Sequence, residues 1–217
     1  MATLKAGLYG LVIGAGGGVV IGIFLGLSTF WRKVVSPFVD MANATPRFAL
    51  APLFVLWLGL GLASKVGVVV SIVVFIMIIN TMEGVMAVDR DHLRLLRILG
   101  ASPVDRVRYV VLPASVTWIK AGLRLAVPYA IAGAVIGEFV AADQGLGYHL
   151  VQQAGALNTN GVLASVVILS LLGTAFSLLS TYLLTDRQKR RRRSSTSESA
   201  AARSDSAQWL SSARSIR

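Results

Sequence analysis

Four residues put polar or ionisable groups inside or beside long apolar stretches: Asn80, Glu83, Arg124 and Glu138. Ionisable side chains in a membrane-embedded segment are costly, so they mark solute or ion pathways by default. Their chemistry would be charge pairing and hydrogen bonding along a route, or gating of it. Blander uses stay open: Arg124 snorkelling to an interface, Glu138 capping one, and Asn80 and Glu83 securing helix packing instead of selecting a solute. Other chemistries lack their residues. The two histidines, His92 and His149, lie far apart with no carboxylate cluster, and cysteine is absent, so neither a metal centre nor thiol chemistry is expected. Gly16 and Gly17 are followed by no phosphate-loop lysine, so no nucleotide site is expected on this chain. A membrane enzyme would need clustered His, Asp or Glu. An ion-coupled carrier would need paired intramembrane acids and internal repeats, and only Glu138 is found.

The elements that must position these residues are apolar helices. The chain of 217 residues is 55% hydrophobic and 14% charged, with a mean hydropathy of +0.70. An ordinary soluble domain carries roughly 25% charged residues, whereas several runs here approach the ~20 residues that cross a bilayer. The fold class is therefore all-α, a polytopic helical membrane protein. Apolar runs at 8–28, 48–62, 66–81, 116–140 and 162–184 make about five transmembrane helices. In the first, Gly10, Gly14, Gly18, Gly22 and Gly26 recur every fourth position, a smooth stripe along which a second backbone can approach closely. Pro52 is expected to kink the second run or mark a late start. The third is rich in Val and Ile but should be helical, because a lone strand cannot satisfy its backbone in lipid.

Cations fix the orientation. Arg32, Lys33 and Arg47, then Arg90, Arg94, Arg97, Arg106 and Arg108, then a C-terminal cluster fall on one side; Lys5, Lys65 and the cation-free loop 141–160 fall on the other. The first side is cytoplasmic. The N-terminus is then outside, yet nothing before the first run resembles a signal peptide, so either the first run inserts N-terminus-out or, as we expect, one further span lies upstream. The net charge is +11, but residues 186–217 hold nine Lys/Arg against three Asp/Glu and account for +6. Residues 185–217 read as a disordered basic cytoplasmic tail, drawn to anionic membrane lipid and not to nucleic acid. Residues 1–184 form the transmembrane domain.

Between the third and fourth runs lies a polar island, 83–115, too charged for lipid. Asp89 and Asp91 suit the start of a helix; Leu93, Leu95, Leu96, Ile98 and Leu99 give it a broad apolar surface, and Arg94 and Arg97 share another edge. Gly100 is a natural left-handed stop. Ser102, Pro103 and Asp105 restart a helix with an N-cap, a first-position proline and an acid three residues after the cap. Leu112-Pro113 should end this piece and launch the next run. Such an elbow could simply rest on headgroups or be presented to a protein.

One spacing separates these uses. Gly100 is followed by nine residues and then Val110, Val111, Leu112 and Pro113, which resembles the EAA-type signature of the permease subunit of bacterial ATP-binding-cassette importers of the type I, binding-protein-dependent class. The stretch 45–61, Asn80-Thr81, Gly122-Leu123-Arg124, Glu138 and Gly145-Leu146-Gly147-Tyr148 resemble its nitrate, sulfonate and taurine branch. The likeness covers residues 8–184. It implies a permease homodimer in the bacterial inner (plasma) membrane, separate ATPase subunits that carry ATP and Mg, and an extracytoplasmic solute-binding protein. This chain itself would hold no cofactor and would not be an enzyme. ATPase coupling would fall to Asp91, Arg94, Leu95, Leu96, Gly100, Ala101, Ser102, Leu112 and Pro113, and Gly145, Gly147 and Tyr148 would shape a loop facing the binding protein. The departure is at Arg94-Leu95-Leu96, where the family places an acid and two alanines; this reverses a charge and adds bulk on the docking turn, and keeps open the alternative of a degenerate subunit that assembles without transporting.

Overall fold

A computed structural model describes residues 2–141 and 144–185, and every regular element among them is helical. In order these are α1 (Ala2–Leu27), α2 (Thr29–Ala44), a 3-10 turn (Arg47–Leu50), α3 (Ala51–Leu58), α4 (Leu62–Met86), α5 (Arg90–Ile98), α6 (Pro103–Arg106), a π-helical turn (Val107–Val111), α7 (Leu112–Ala141), α8 (Leu146–Gly155) and α9 (Thr159–Thr185). The chain through Ser177 forms one compact unit; of the second, Leu178–Arg217, only the last turns of α9 are described. The basic segment 186–217 lies outside the described residues.

The core is built around α4, which contributes to three buried clusters. Val69, Val73 and Met77 meet Ala6 of α1 and Ala126, Ala130 and Ala134 of α7. Ile78 and Met82 meet Leu25 and Val39, and Val68 and Ile72 meet Ala51. The glycine stripe of α1 makes the first packing possible. A Cβ on Gly10, Gly14, Gly18, Gly22 or Gly26 would stand 2.4–2.9 Å from Val69, Val73, Met77, Thr81 or Val85 in turn. Five contacts advancing by four residues on both helices mean that α1 and α4 run parallel with their backbones close together. Gly16 and Gly17 have nothing within 4 Å of such a Cβ. The helix α7 runs the other way: Gly122 abuts Asn80, Gly133 abuts Ile72 and Gly137 abuts Lys65.

Among the described residues, four helical stretches are long and apolar enough to cross a membrane: Ala2–Leu27, Leu62–Met86, Pro103–Val140 and Thr159–Tyr182. The remaining apolar run forms only the shorter helix Arg47–Leu58. It is the second half of a broken crossing of which α2 is the first half. Ser28 accepts a hydrogen bond from the Trp31 amide and caps α2. Val39 then packs near Ile78 and Met82, Arg47 reaches Ile72, and Phe54 and Leu58 lie against Gly67, so the pair ascends antiparallel to α4. The break falls at Thr45-Pro46, where the proline forces the preceding residue into extended backbone. Pro52 marks a late start, near the first turn of α3. Arg47, grouped above with the cytoplasmic cations, instead lies beside the middle of α4.

Candidate functional site

The elbow between α4 and α7 is assembled from local interactions. Asp89 accepts from the Asp91 amide at 2.9 Å at the head of α5. Gly100 sits at φ 77°, and the Ala101 amide donates to the Leu96 carbonyl at 3.0 Å, closing the helix with a left-handed stop. Ser102 and Asp105 form a reciprocal capping box: the Asp105 amide donates to Ser102 Oγ (3.1 Å) and the Ser102 amide to Asp105 Oδ2 (3.2 Å), with Pro103 in the first turn.

At the far end the expected stop at Leu112-Pro113 does not occur. The helix continues from Pro103 to Val140. A proline lacks the amide that bonds four residues back, and its ring would strike that carbonyl. The turn ahead of it widens instead, with the Leu112 amide donating to the Val107 carbonyl. The π-turn thus absorbs Pro113 without breaking the rod. Ile98 (82% exposed), Leu99, Val104 and Tyr109 are exposed on the elbow, and Arg94 pairs with Asp91, one turn back, at 3.1 Å with both side chains exposed. Such a surface ion pair contributes little to stability, but it sets a carboxylate beside the Arg94 guanidinium.

At the opposite end of α7, Glu138 is 1% exposed. Its Oε1 accepts from Thr3 Oγ1 at 2.7 Å and its Oε2 from the Gly147 amide at 2.8 Å, tying the start of α1 and the start of α8 to α7. A carboxylate also complements the amide-rich end of α8. Gly145, at φ 128°, and Gly147 leave room for it: a Cβ on either would lie 2.2 Å from Glu138 Cδ or 2.8 Å from the Val135 carbonyl oxygen. Lys65, buried at the head of α4, donates from Nζ to the Gln144 carbonyl at 3.3 Å. Glu138 is thus a buried latch, joined to the Gly145–Gly147 turn that sequence alone had assigned to a separate role. Tyr148 follows on α8, its hydroxyl accepting from Gln152.

The other ionisable candidates do not converge. Asn80 lines a cavity of about 430 Å³ beside Arg47 and Tyr129, its Nδ2 donating to the Ile76 carbonyl at 2.8 Å. Glu83 is exposed near the end of α4, and Arg124 is half-buried on α7. Thr3, Lys65 and Arg47 were missed as candidates. Only Arg47 had a signal, the helix-breaking Thr45-Pro46 just before it.

Residues 18–191 match the family model described as binding-protein-dependent transport system inner membrane component. The chain is 36% identical over 174 residues to a formylaminopyrimidine transport permease protein of Halalkalibacterium halodurans, covering 78% of this chain and 70% of that one. It is 31% identical over 156 residues to the taurine transport system permease protein of Escherichia coli, covering 71% and 56%. Among solved structures, the MetNI methionine ABC transporter in inward-facing conformations shares the fold, with a TM-score of 0.67 at 19% identity over 84% of this chain and 89% of that one.

Proposed function

The chain belongs to the family of binding-protein-dependent transport system inner membrane components, and on that premise we propose that two copies frame the route of a small solute through an ATP-driven importer. Separate ATP-binding-cassette subunits dock on the elbow and carry the ATP and magnesium chemistry, and an extracytoplasmic binding protein delivers the solute at the end held by Glu138. The elbow and the C-terminal segment face the cytoplasm. The names of the relatives, which transport a formylaminopyrimidine and taurine, suggest a small nutrient of the sulfonate or heterocycle kind.

The observation that carries this reading is mechanical. The elbow is stiff at both ends, with α5 stopped at Gly100 and the next helix capped at Ser102. It is covalently continuous with a 38-residue helix, Pro103–Val140. Motion of a partner seated on Leu95, Ile98, Leu99 and Val104 would therefore reach the opposite membrane face through one rod. Catalytic closure of lids and domains works by the same kind of rigid relay.

The test uses the chain co-expressed with a candidate ATPase and binding protein. Ile98→Asp changes a side chain that is already exposed, so the membrane core should persist. It should abolish co-purification of the ATPase and stimulation of its turnover by the loaded binding protein. Undiminished association would remove the elbow as the docking surface.

A further inference from the structure

The cavity at the broken crossing has a composition that its packing role does not explain. It lies between the Thr45-Pro46 break, the middle of α4 and one face of α7, with a volume of about 430 Å³, inside the range of small-molecule sites. Its walls are mostly apolar: Phe48, Ile72, Ile76, Ile79 and Leu125. Into this lining the chain places one guanidinium, Arg47, together with Asn43, Asn80 and the half-exposed Tyr129.

Among the described residues, the partners of Arg47 are all neutral. Nε donates to the Ala42 carbonyl (3.3 Å), Nη1 to the Ile72 carbonyl (3.1 Å) and Nη2 to the Asn43 carbonyl (2.9 Å) and the Asn43 amide oxygen. Its Cζ stands 4.8 Å from the centre of the Phe75 ring. These contacts hold the group in place and occupy four of its five N–H donors but bring it no negative charge, and no other lining residue is charged. A cation placed level with Ile72, the eleventh residue of the 25-residue helix α4, is expensive at that depth and marks a pathway. Irregular backbone at such depth is tolerated where it lines a cavity, the arrangement found where broken helices hold a solute.

We propose that this cavity is a transit site for a small organic anion, one bearing a sulfonate or carboxylate. Arg47 supplies the counter-charge, and Asn80 and Tyr129 supply neutral hydrogen-bonding groups. The proposal rests on the chain being a permease subunit, and it adds a residue and a substrate charge to that reading.

The natural chain has no cysteine, so Tyr129→Cys gives a single thiol at the cavity wall. The full-length chain is placed in nanodiscs of phosphatidylcholine alone, which excludes a lipid anion as the occupant. Modification is timed with anionic 2-sulfonatoethyl methanethiosulfonate and its cationic trimethylammonium counterpart, each normalised to its rate with a free thiol. We expect the anionic reagent to be favoured about tenfold, and millimolar ethanesulfonate to slow it while sodium chloride at equal ionic strength does not. Arg47→Gln should erase the preference and Arg47→Lys should restore it.

Equal normalised rates, absence of protection by ethanesulfonate, or a preference unchanged in Arg47→Gln would each overturn the proposal. If Arg47→Gln does not reach the membrane folded, the competition measurement on Tyr129→Cys decides alone. Because no ATPase is present, failure here leaves the docking reading untouched, and failure of docking leaves this measurement intact.

Discussion

Glu138 offers the sharpest separation between a pathway carboxylate and a structural one. Thr3→Val removes one hydrogen bond to a buried carboxylate, and with it the longer 3.4 Å bond that the Thr3 hydroxyl accepts from the Leu146 amide, with little change of shape. Such bonds are worth about 1.5–3 kcal/mol in protein interiors, and coupling between membrane helices averages lower, at about 0.6 kcal/mol with a maximum near 1.7. We therefore expect a loss of about 1–2 kcal/mol. Glu138→Gln keeps the volume but turns one oxygen into a donor, which must then face either the Thr3 hydroxyl or the Gly147 amide, 2.7 and 2.8 Å from the present oxygens. The Gly147 amide cannot meet that donor, but the Thr3 hydroxyl can turn to accept from it, so both contacts persist without the charge that strengthens them, costing about 1–2 kcal/mol. The two changes share a bond, so the double variant should lose less than the summed losses by about 1 kcal/mol. Equilibrium unfolding in mixed micelles, titrated with SDS, measures all three. If the two single variants unfold like the parent, or their effects simply add, the latch is wrong. Loss of transport with unchanged stability would return Glu138 to the pathway.

Three further outcomes follow from the same packing. Gly18→Ala, whose Cβ would meet Met77 at 2.5 Å and the Val74 carbonyl at 2.7 Å, should force α1 away from α4 and lower stability by about 1–3 kcal/mol. Gly17→Ala points into open space and should be neutral or stabilising by about 0.5–1 kcal/mol. A thermal-stability assay in detergent compares the pair, and equal losses would refute the close-packed stripe. Gly100 has no neighbour to clash with, so its cost is one of backbone alone: about 1–2 kcal/mol for Ala at φ 77°, less for Asn and more for Val. ATP-driven uptake by the assembled importer should therefore fall in the order Asn, Ala, Val, and wild-type uptake in Gly100→Val at equal expression would count against a stiff elbow. Ser102→Ala removes the N-cap and should cost about 1 kcal/mol, read as faster proteolysis at the elbow with the rest of the chain unaffected.

The local features were legible because their causes lie within a few residues. Helicity follows from the apolar runs, the left-handed stop from Gly100, and the restart from Ser102, Pro103 and Asp105, and all are present as the sequence requires. The glycine stripe announced a close helix partner but could not identify it, since any smooth helix would serve. Tertiary structure supplied what depends on distant residues. The Thr3–Glu138 bond joins positions 135 residues apart, and no local pattern links an N-terminal threonine to a carboxylate near the end of α7. Arg47 looked like an interfacial cation because charge was counted along the chain, whereas its depth is set by packing against α4, 25 residues on. Pro113 promised a helix end, whereas the helix runs on through a turn widened ahead of it, with the Leu112 amide donating to the Val107 carbonyl. What the amino-acid sequence determined was class, helices and elbow, because hydrophobicity and capping act locally; what the fold alone decided was which charged groups became latch and which cavity, because burial and pairing depend on helices that meet only in space.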